Sequence, residues 1–454
     1  MVSFLMCCIP KGTDMDIDEA LTWLYGFTSR GSKLGLDRIT QLLDRLENPH
    51  QNISCVHVTG TNGKGSVCHF LGSILASAGY KTGVYLSPHL QRFNERVLIN
   101  EKEISDTNLI ALVQKIQPVV QRLEKEGCEP TFFELVTALA FLYFNEQHVD
   151  VAVIEVGLGG RYDATNVIHP LASVITNISV EHADILGKTL QEIAFEKAGI
   201  IKPQTPVVTA AVSPAFETIN DVAAKQQAPV IHVTKQWWQR QETNTVHQTF
   251  RIHTPQQTYE VTTHQLGEFQ GENISCAIAA AELLQTQKWH ISNTDIQQGI
   301  ATAFNPGRME FFTFPSKILI DGAHNPTGMQ NLAHSLQQDF SYPRLHLILS
   351  ILRDKDIPAM LSQVTPLADA ITVTQSTNPR ACSPEMLKQF VEDSGYTEPI
   401  TVKQTIAEAL KDAIKHASDD ELLVVTGSLF TVGEARDYLQ RLKVTSSVSS
   451  PAQQ

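Results

Sequence analysis

A glycine-rich turn, Gly60-Thr61-Asn62-Gly63-Lys64-Gly65-Ser66, follows the short apolar run Cys55–Thr59. It leads into Val67, Phe70, Leu71, Ile74, Leu75 and Ala78 at helical spacing. A strand, a glycine-rich turn and a helix in that order set several backbone amides and a helix N-terminus around one point, which is the geometry that cradles an anion. Glycines let the backbone approach the anion without an intruding side chain. Lys64 is placed to reach terminal phosphates, and Ser66 is the hydroxyl type found beside Mg2+. The turn departs from the usual G-x-x-x-x-G-K-[ST], because position 58 is Val and Gly65 separates Lys64 from Ser66. A plain strand-to-helix turn needs neither Lys nor Ser, which favours the phosphate reading.

The rest of the chain repeats this alternation. Strands are expected at 82–85, 151–156, 172–177, 207–210 and 229–233, with helices at 132–144 and 190–198. That pattern predicts an α/β fold, with an N-terminal, mostly parallel P-loop-type sheet covered on both faces. Residues 234–265 are rich in Gln, Thr and His with short alternation, and predict a small antiparallel patch. Asn305-Pro306-Gly307 is a turn cluster taken as the domain boundary. Beyond it, strands at 318–321, 345–350, 371–374 and 422–426 alternate with helices near 327–339, 383–393, 405–417 and 430–442, a second, Rossmann-like α/β domain of about 140 residues. The expected division is 1–304, 305–443 and a disordered Ser/Pro/Gln tail, 444–454. A chain of 454 residues suits two cores.

Composition narrows the class. Apolar residues make up 42% and charged residues 18%, as in soluble globular chains. No apolar run reaches the roughly 18 residues of a membrane span, and residues 1–10 lack the marks of a secretory signal. Met15 is an alternative start, since ordered-looking sequence begins just after it. The net charge of −13 disfavours a nucleic-acid interface but not a nucleotide held by a local nest of amides. Seven scattered cysteines suit reduced thiols in the cytoplasm, with no zinc spacing.

Four further motifs carry chemistry. Glu155 ends an apolar strand, where open α/β sheets bind ligands, and a carboxylate there suits Mg2+ as well as it suits a strand-end partner for Arg161. Glu181-His182 follows the next strand on the same sheet edge. Lys197, in Glu196-Lys197-Ala198-Gly199-Ile200-Ile201-Lys202, is a desolvated amine or a solvated helix end; spacing alone favours the latter. Asp321-Gly322-Ala323-His324-Asn325-Pro326 closes the first strand of the second domain, where an Asp can accept ribose hydroxyls, and Arg308 in the interdomain turn can reach phosphate.

Together these residues resemble the folylpolyglutamate synthase / dihydrofolate synthase family of the Mur ligase superfamily, from about Ile17 to Leu442. The resemblance also rests on Ser87-Pro88-His89-Leu90, Arg92-Phe93-Asn94-Glu95-Arg96, Gly157-Leu158-Gly159-Gly160-Arg161, Asp163-Ala164-Thr165-Asn166 and Asp354-Lys355-Asp356, in family order. It implies ATP and Mg2+ as cofactors, and a monomer joining L-glutamate to dihydropteroate or a reduced folate through an acyl phosphate. Gly60, Thr61, Asn62, Gly63, Lys64, Gly65, Ser66, Asn273, Arg308 and Asp321 match ATP contacts. Ser66, Ser87, Glu155, His182 and a carbamylated Lys197 match the metal set. Thr131, Phe133 and Asp163 match pterin contacts, and His324 and Ser428 match positions linked to glutamate. Lys64, Lys197 and His324 are the expected catalytic residues. Glu181 stands where the family pattern has Asp. A cell-wall Mur ligase is disfavoured because only about 55 residues precede the phosphate loop, too few for a UDP-binding domain. An idle nucleotide sensor is disfavoured because Lys64, Glu155 and His182 are all present.

Overall fold

The computed structural model describes residues 15–31 and 33–448, with the side chains of 444–448 left aside. The first sheet contains β1 (Cys55–Thr59), β2 (Thr82–Tyr85), β3 (Val97–Ile99), β4 (Lys102–Glu103), β5 (Val151–Glu155), β6 (Ala172–Ile175), β7 (Val207–Thr209) and β8 (Val230–His232). Their order is β4-β3-β2-β5-β1-β6-β7-β8, parallel except that β3 runs antiparallel to both β2 and β4. β1 and β5 are buried at every position, as strands covered on both faces must be. Alternation divides them cleanly: Val56, Val58, Val151 and Val153 enter one core, and Cys55, Ala152 and Ile154 the other.

The first core lies under helices Lys64–Ser77, Gln270–Thr286 and Asn293–Thr302. The second lies under Ile17–Gly26, Asp37–Arg45, Asp106–Lys125 and Phe132–Glu146. Thr131 starts the last of these as an N-cap, accepting from the Glu134 amide, while the Glu134 carboxylate returns to the Thr131 amide.

The polar segment forms a three-stranded antiparallel sheet, β9 (Trp238–Thr243), β10 (Gln248–His253) and β11 (Thr258–Thr263), in order β11-β10-β9. The second α/β unit holds β12 (Glu310–Phe312), β13 (Lys317–Asp321), β14 (Leu345–Leu349), β15 (Ala370–Val373), β16 (Ile400–Val402) and β17 (Leu422–Thr426), ordered β12-β13-β17-β14-β15-β16. Only β12 is antiparallel in this sheet. The expected boundary at residue 305 falls in the turn between the helix Asn293–Thr302 and β12.

The final helix runs from Leu429 to Val448, a few residues beyond the expected domain end at 443. A helix already anchored by buried Val432, Ala435 and Leu439 extends at little cost, since each added residue gains a hydrogen bond. Residues 449–454 lie outside the described residues, as do 1–14 with Cys7 and Cys8. Among the described residues no helix is long and apolar enough to cross a membrane.

Candidate active site

The carboxyl ends of β1, β5 and β6 meet the second unit across a cavity of about 510 Å3. Thr61 to Ser66, Ser87, Glu155, His182, Lys197, Asn273, Arg308, Asp321 and His324 all line it. Gly60 sits just behind. Thr131, Phe133, Asp163 and Ser428 do not line it.

The phosphate loop takes its shape from backbone constraints. Gly63, with φ +86, occupies a left-handed conformation, and a Cβ there would sit 2.1 Å from Asn273 Oδ1. Lys64 Nζ is folded onto the loop, donating to Gly60 O at 3.0 Å and Thr61 O at 3.1 Å. Asn177 Oδ1 accepts from the Asn62 amide at 3.1 Å, and Asn177 Nδ2 donates to Glu272 at 2.9 Å. Asn62 also pairs with Asn325 of the second unit, receiving at Oδ1 from Asn325 Nδ2 at 3.0 Å and returning a longer contact of 3.4 Å.

Glu155 is buried, and its Oε2 accepts from the Ser87 amide at 2.7 Å. Burial raises its pKa against the opposing charges of Lys64 and Arg308. Arg161 is no partner of Glu155; it faces Glu196 at 3.7 Å. Ser87 Oγ is buried without a partner, and Ser66 Oγ accepts from Asn305 Nδ2 at 3.2 Å. An orphaned hydroxyl beside a desolvated carboxylate suits a hard, oxygen-seeking cation such as Mg2+. Among the described residues no three His, Cys, Asp or Glu side chains converge as a metal site, so a cation here would lean on hydroxyls and on the phosphates themselves. His182 is exposed at the cavity wall, with φ +47.

Lys197 is not a solvated helix end. It is 1% exposed, and its Nζ donates to Gly60 O at 2.7 Å and Glu181 Oε1 at 2.8 Å. Burial lowers its pKa to about 8, with Glu181 opposing that shift and the Lys64 charge adding to it.

From the second unit, Asp321 accepts from the amides of Met309 and Ala323, both at 2.9 Å, and Arg308 donates to Gly322 O at 3.1 Å. His324 Nδ1 lies 2.8 Å from Gly322 O. A carbonyl only accepts, so Nδ1 carries the proton and Nε2 keeps a lone pair. Burial and Arg308 push the ring pKa down to about 4. Ser428 is spent inside the protein, its hydroxyl 2.7 Å from Thr431 Oγ1 and accepting from the Thr431 amide at 3.1 Å.

Phe133 packs outside the cavity wall: a Cβ on Gly157 would sit 2.4 Å from its ring. The Asp163 carboxylate holds the wall loop, accepting from the Leu158 amide at 2.9 Å. A second cavity of about 490 Å3 opens on the far side of Ser87, Glu155 and Arg308, with His69, His89, Arg92 and Arg436 along it.

Sequence reasoning missed the rim of the first cavity. Lys235 Nζ stands 3.5 Å from the Trp238 ring centroid and 3.1 Å from Glu268 Oε1, whose other oxygen meets His334 of the second unit at 3.1 Å. The available signal was the basic-aromatic run Lys235-Gln236-Trp237-Trp238 within an otherwise polar stretch.

Residues 58–281 match the Mur ligase middle domain, and residues 307–429 the Mur ligase glutamate ligase domain. A dihydrofolate synthase/folylpolyglutamate synthase of Bacillus subtilis is 37% identical, over 93% of this chain and 99% of that one. The folylpolyglutamate synthase of Mycobacterium tuberculosis complexed with ADP superposes with a TM-score of 0.86 at 31% identity, over 93% of this chain and 99% of that one. Escherichia coli FolC in complex with DHPP and ADP gives 0.83 at 28%, over 96% and 99%.

Proposed function

The chain belongs to the folylpolyglutamate synthase / dihydrofolate synthase family of Mur ligases, and we propose that it joins L-glutamate both to dihydropteroate and to reduced folates at the expense of ATP. The observation that carries this reading is the convergence, in one cavity, of the phosphate loop, the buried Glu155 and Lys197, and Arg308, Asp321 and His324 from the second unit.

A carboxylate is a poor electrophile. An oxygen of the substrate carboxylate attacks the γ-phosphorus of ATP, ADP leaves, and an acyl phosphate forms. The α-amine of glutamate then attacks the acyl carbon, and phosphate leaves. Lys64 swings from the loop carbonyls to the β- and γ-phosphates, and Arg308 neutralises charge from the opposite wall. Asn273 and Asp321 hold the nucleoside end. Ser66, Ser87 and Glu155, with His182 and a carbamylated Lys197, would hold Mg2+, which supplies neutralisation of phosphate charge. His324 Nε2, a free lone pair on a neutral ring, receives a proton from the incoming amine, and Ser428 shapes the backbone beside it. The pterin end sits at the wall formed by Gly157, with the Phe133 ring behind it, Thr131 beside it and Asp163 fixing the loop. The five described cysteines are all free and buried, which supports a cytoplasmic site of action, and the enzyme works as a monomer.

The test is phosphate release and product formation with L-glutamate and MgATP, comparing dihydropteroate with a reduced folate. Both substrates should yield amide product. Folate extension without dihydrofolate formation would leave folylpolyglutamate synthesis alone, and turnover with neither would overturn the reading.

A further inference from the structure

The strand that launches the phosphate loop also carries a buried polar face. His57 and Thr59 point away from the core that receives Val56 and Val58, and both are fully buried. Thr59 Oγ1 donates to Gly159 O at 2.7 Å. His57 Nε2 lies 2.8 Å from Thr165 Oγ1, which lies 2.5 Å from Asp163 Oδ1. Asp163 accepts in addition from the Thr165 amide at 3.0 Å and the Leu158 amide at 2.9 Å.

These contacts fix the protons. Burial raises the Asp163 pKa, but hydrogen bonds from Thr165 and from backbone amides at both oxygens oppose that shift and hold the group as a carboxylate. The single hydroxyl proton of Thr165 therefore goes to Asp163, and His57 must donate to Thr165 from Nε2. His57 Nδ1 is then a bare lone pair, and it is buried without a partner. Burial and the Lys202 ammonium push the ring pKa down to about 3, so the imidazole stays neutral.

We infer that His57 is a positioning residue which, through Thr165 and Asp163, holds the 157–160 loop in the shape that receives the acyl substrate. The strand that ends in the phosphate loop thereby also sets the wall on the other side of the reaction. This rests on the placement of the pterin end proposed above.

Two measurements test it. In protein labelled with 15N-histidine and free of ligand, His57 should show a protonated Nε2 and a bare Nδ1 that do not titrate between about pH 5 and 8. In kinetics, His57→Phe should raise KM for dihydropteroate about tenfold, the loss of one hydrogen bond in a chain ending on a charge, while kcat and nucleotide affinity stay within about twofold. His57→Gln, whose amide can still donate to Thr165, should restore most of that KM. Thr165→Val, close in shape, should reproduce the defect, and the double variant should be no worse than either single one. A proton on Nδ1, an unchanged KM in Thr165→Val, or additive defects would overturn the inference. If wild-type protein forms no dihydrofolate, the pteroate reading fails on its own, and the same series read with a reduced folate decides the role of His57.

Discussion

At the scale of single residues, burial decides the chemistry, and it is the part least legible in the sequence. Lys197 reads locally as a helix-end lysine. Its desolvation comes from burial, at 1% exposure, against segments distant in the chain, with Gly60 O and Glu181 as its partners, contacts that no local pattern reports. An amine with a pKa near 8 is partly neutral at physiological pH, and only the neutral form reacts with CO2. Carbamylation of Lys197, followed by 13C-bicarbonate incorporation, should therefore fall as pH drops below about 8. Lys197→Ala should lose about a hundredfold or more in turnover, on the scale seen when a single charge stabiliser is removed. Glu155 makes the complementary case. Its folded-state pKa is raised, so the folded state binds more protons than the unfolded one across that window, and stability falls as pH rises through it. Glu155→Gln should then be more stable than wild type without ligand by about 1 kcal/mol at neutral pH. The gain should vanish in acid and reverse when MgATP is present. Equal melting temperatures across pH would show that Glu155 carries no such strain.

At the scale of elements, the phosphate loop was legible because strand, turn and helix are contiguous and each has its own period. The same holds for β5, β6, β13, β14, β15 and β17, whereas β12 and β16, three residues each, are not among the expected strands. The helix Asp106–Lys125 lies outside the elements expected from sequence; it buries Leu109, Leu112, Val113, Ile116, Val120 and Leu123 on one face and carries Pro118 within it. The rim built by Lys235, Trp238 and Glu268 sits at the turns that open and close the polar strands, whose pattern says sheet but not site. The loop makes a sharp prediction. Gly63→Ala drives a Cβ into Asn273 Oδ1 in a left-handed conformation that a side chain resists. Nucleotide affinity should fall at least about tenfold with the circular dichroism spectrum unchanged, and wild-type affinity by calorimetry would contradict the loop geometry. Lys64→Ala should keep the fold, since its amine contacts only loop carbonyls, and lose ligation.

At the scale of the whole molecule, the two units meet where the carboxyl ends of β1, β5 and β6 face the end of β13, the crevice in which open α/β sheets place their ligands. The order of strands within each sheet and the Asn62–Asn325 amide pair across the cavity were not readable from sequence, because both join residues far apart in the chain. That pair ties the phosphate loop to the start of the helix Pro326–Asp339, so Asn325→Ala should loosen the approach of the two units and raise KM for ATP and glutamate together. The sequence motifs named the groups that line the cavity; the fold shows that the pterin candidates stand behind its wall rather than in it. The central claim is that a pteroate carboxylate is activated by phosphoryl transfer and then captured by glutamate. Dihydropteroate labelled with 18O in its carboxyl group, turned over with L-glutamate and MgATP, tests it most directly. The account predicts dihydrofolate together with inorganic phosphate carrying one 18O from the substrate; unlabelled phosphate, or ATP consumed without amide formation, would contradict it.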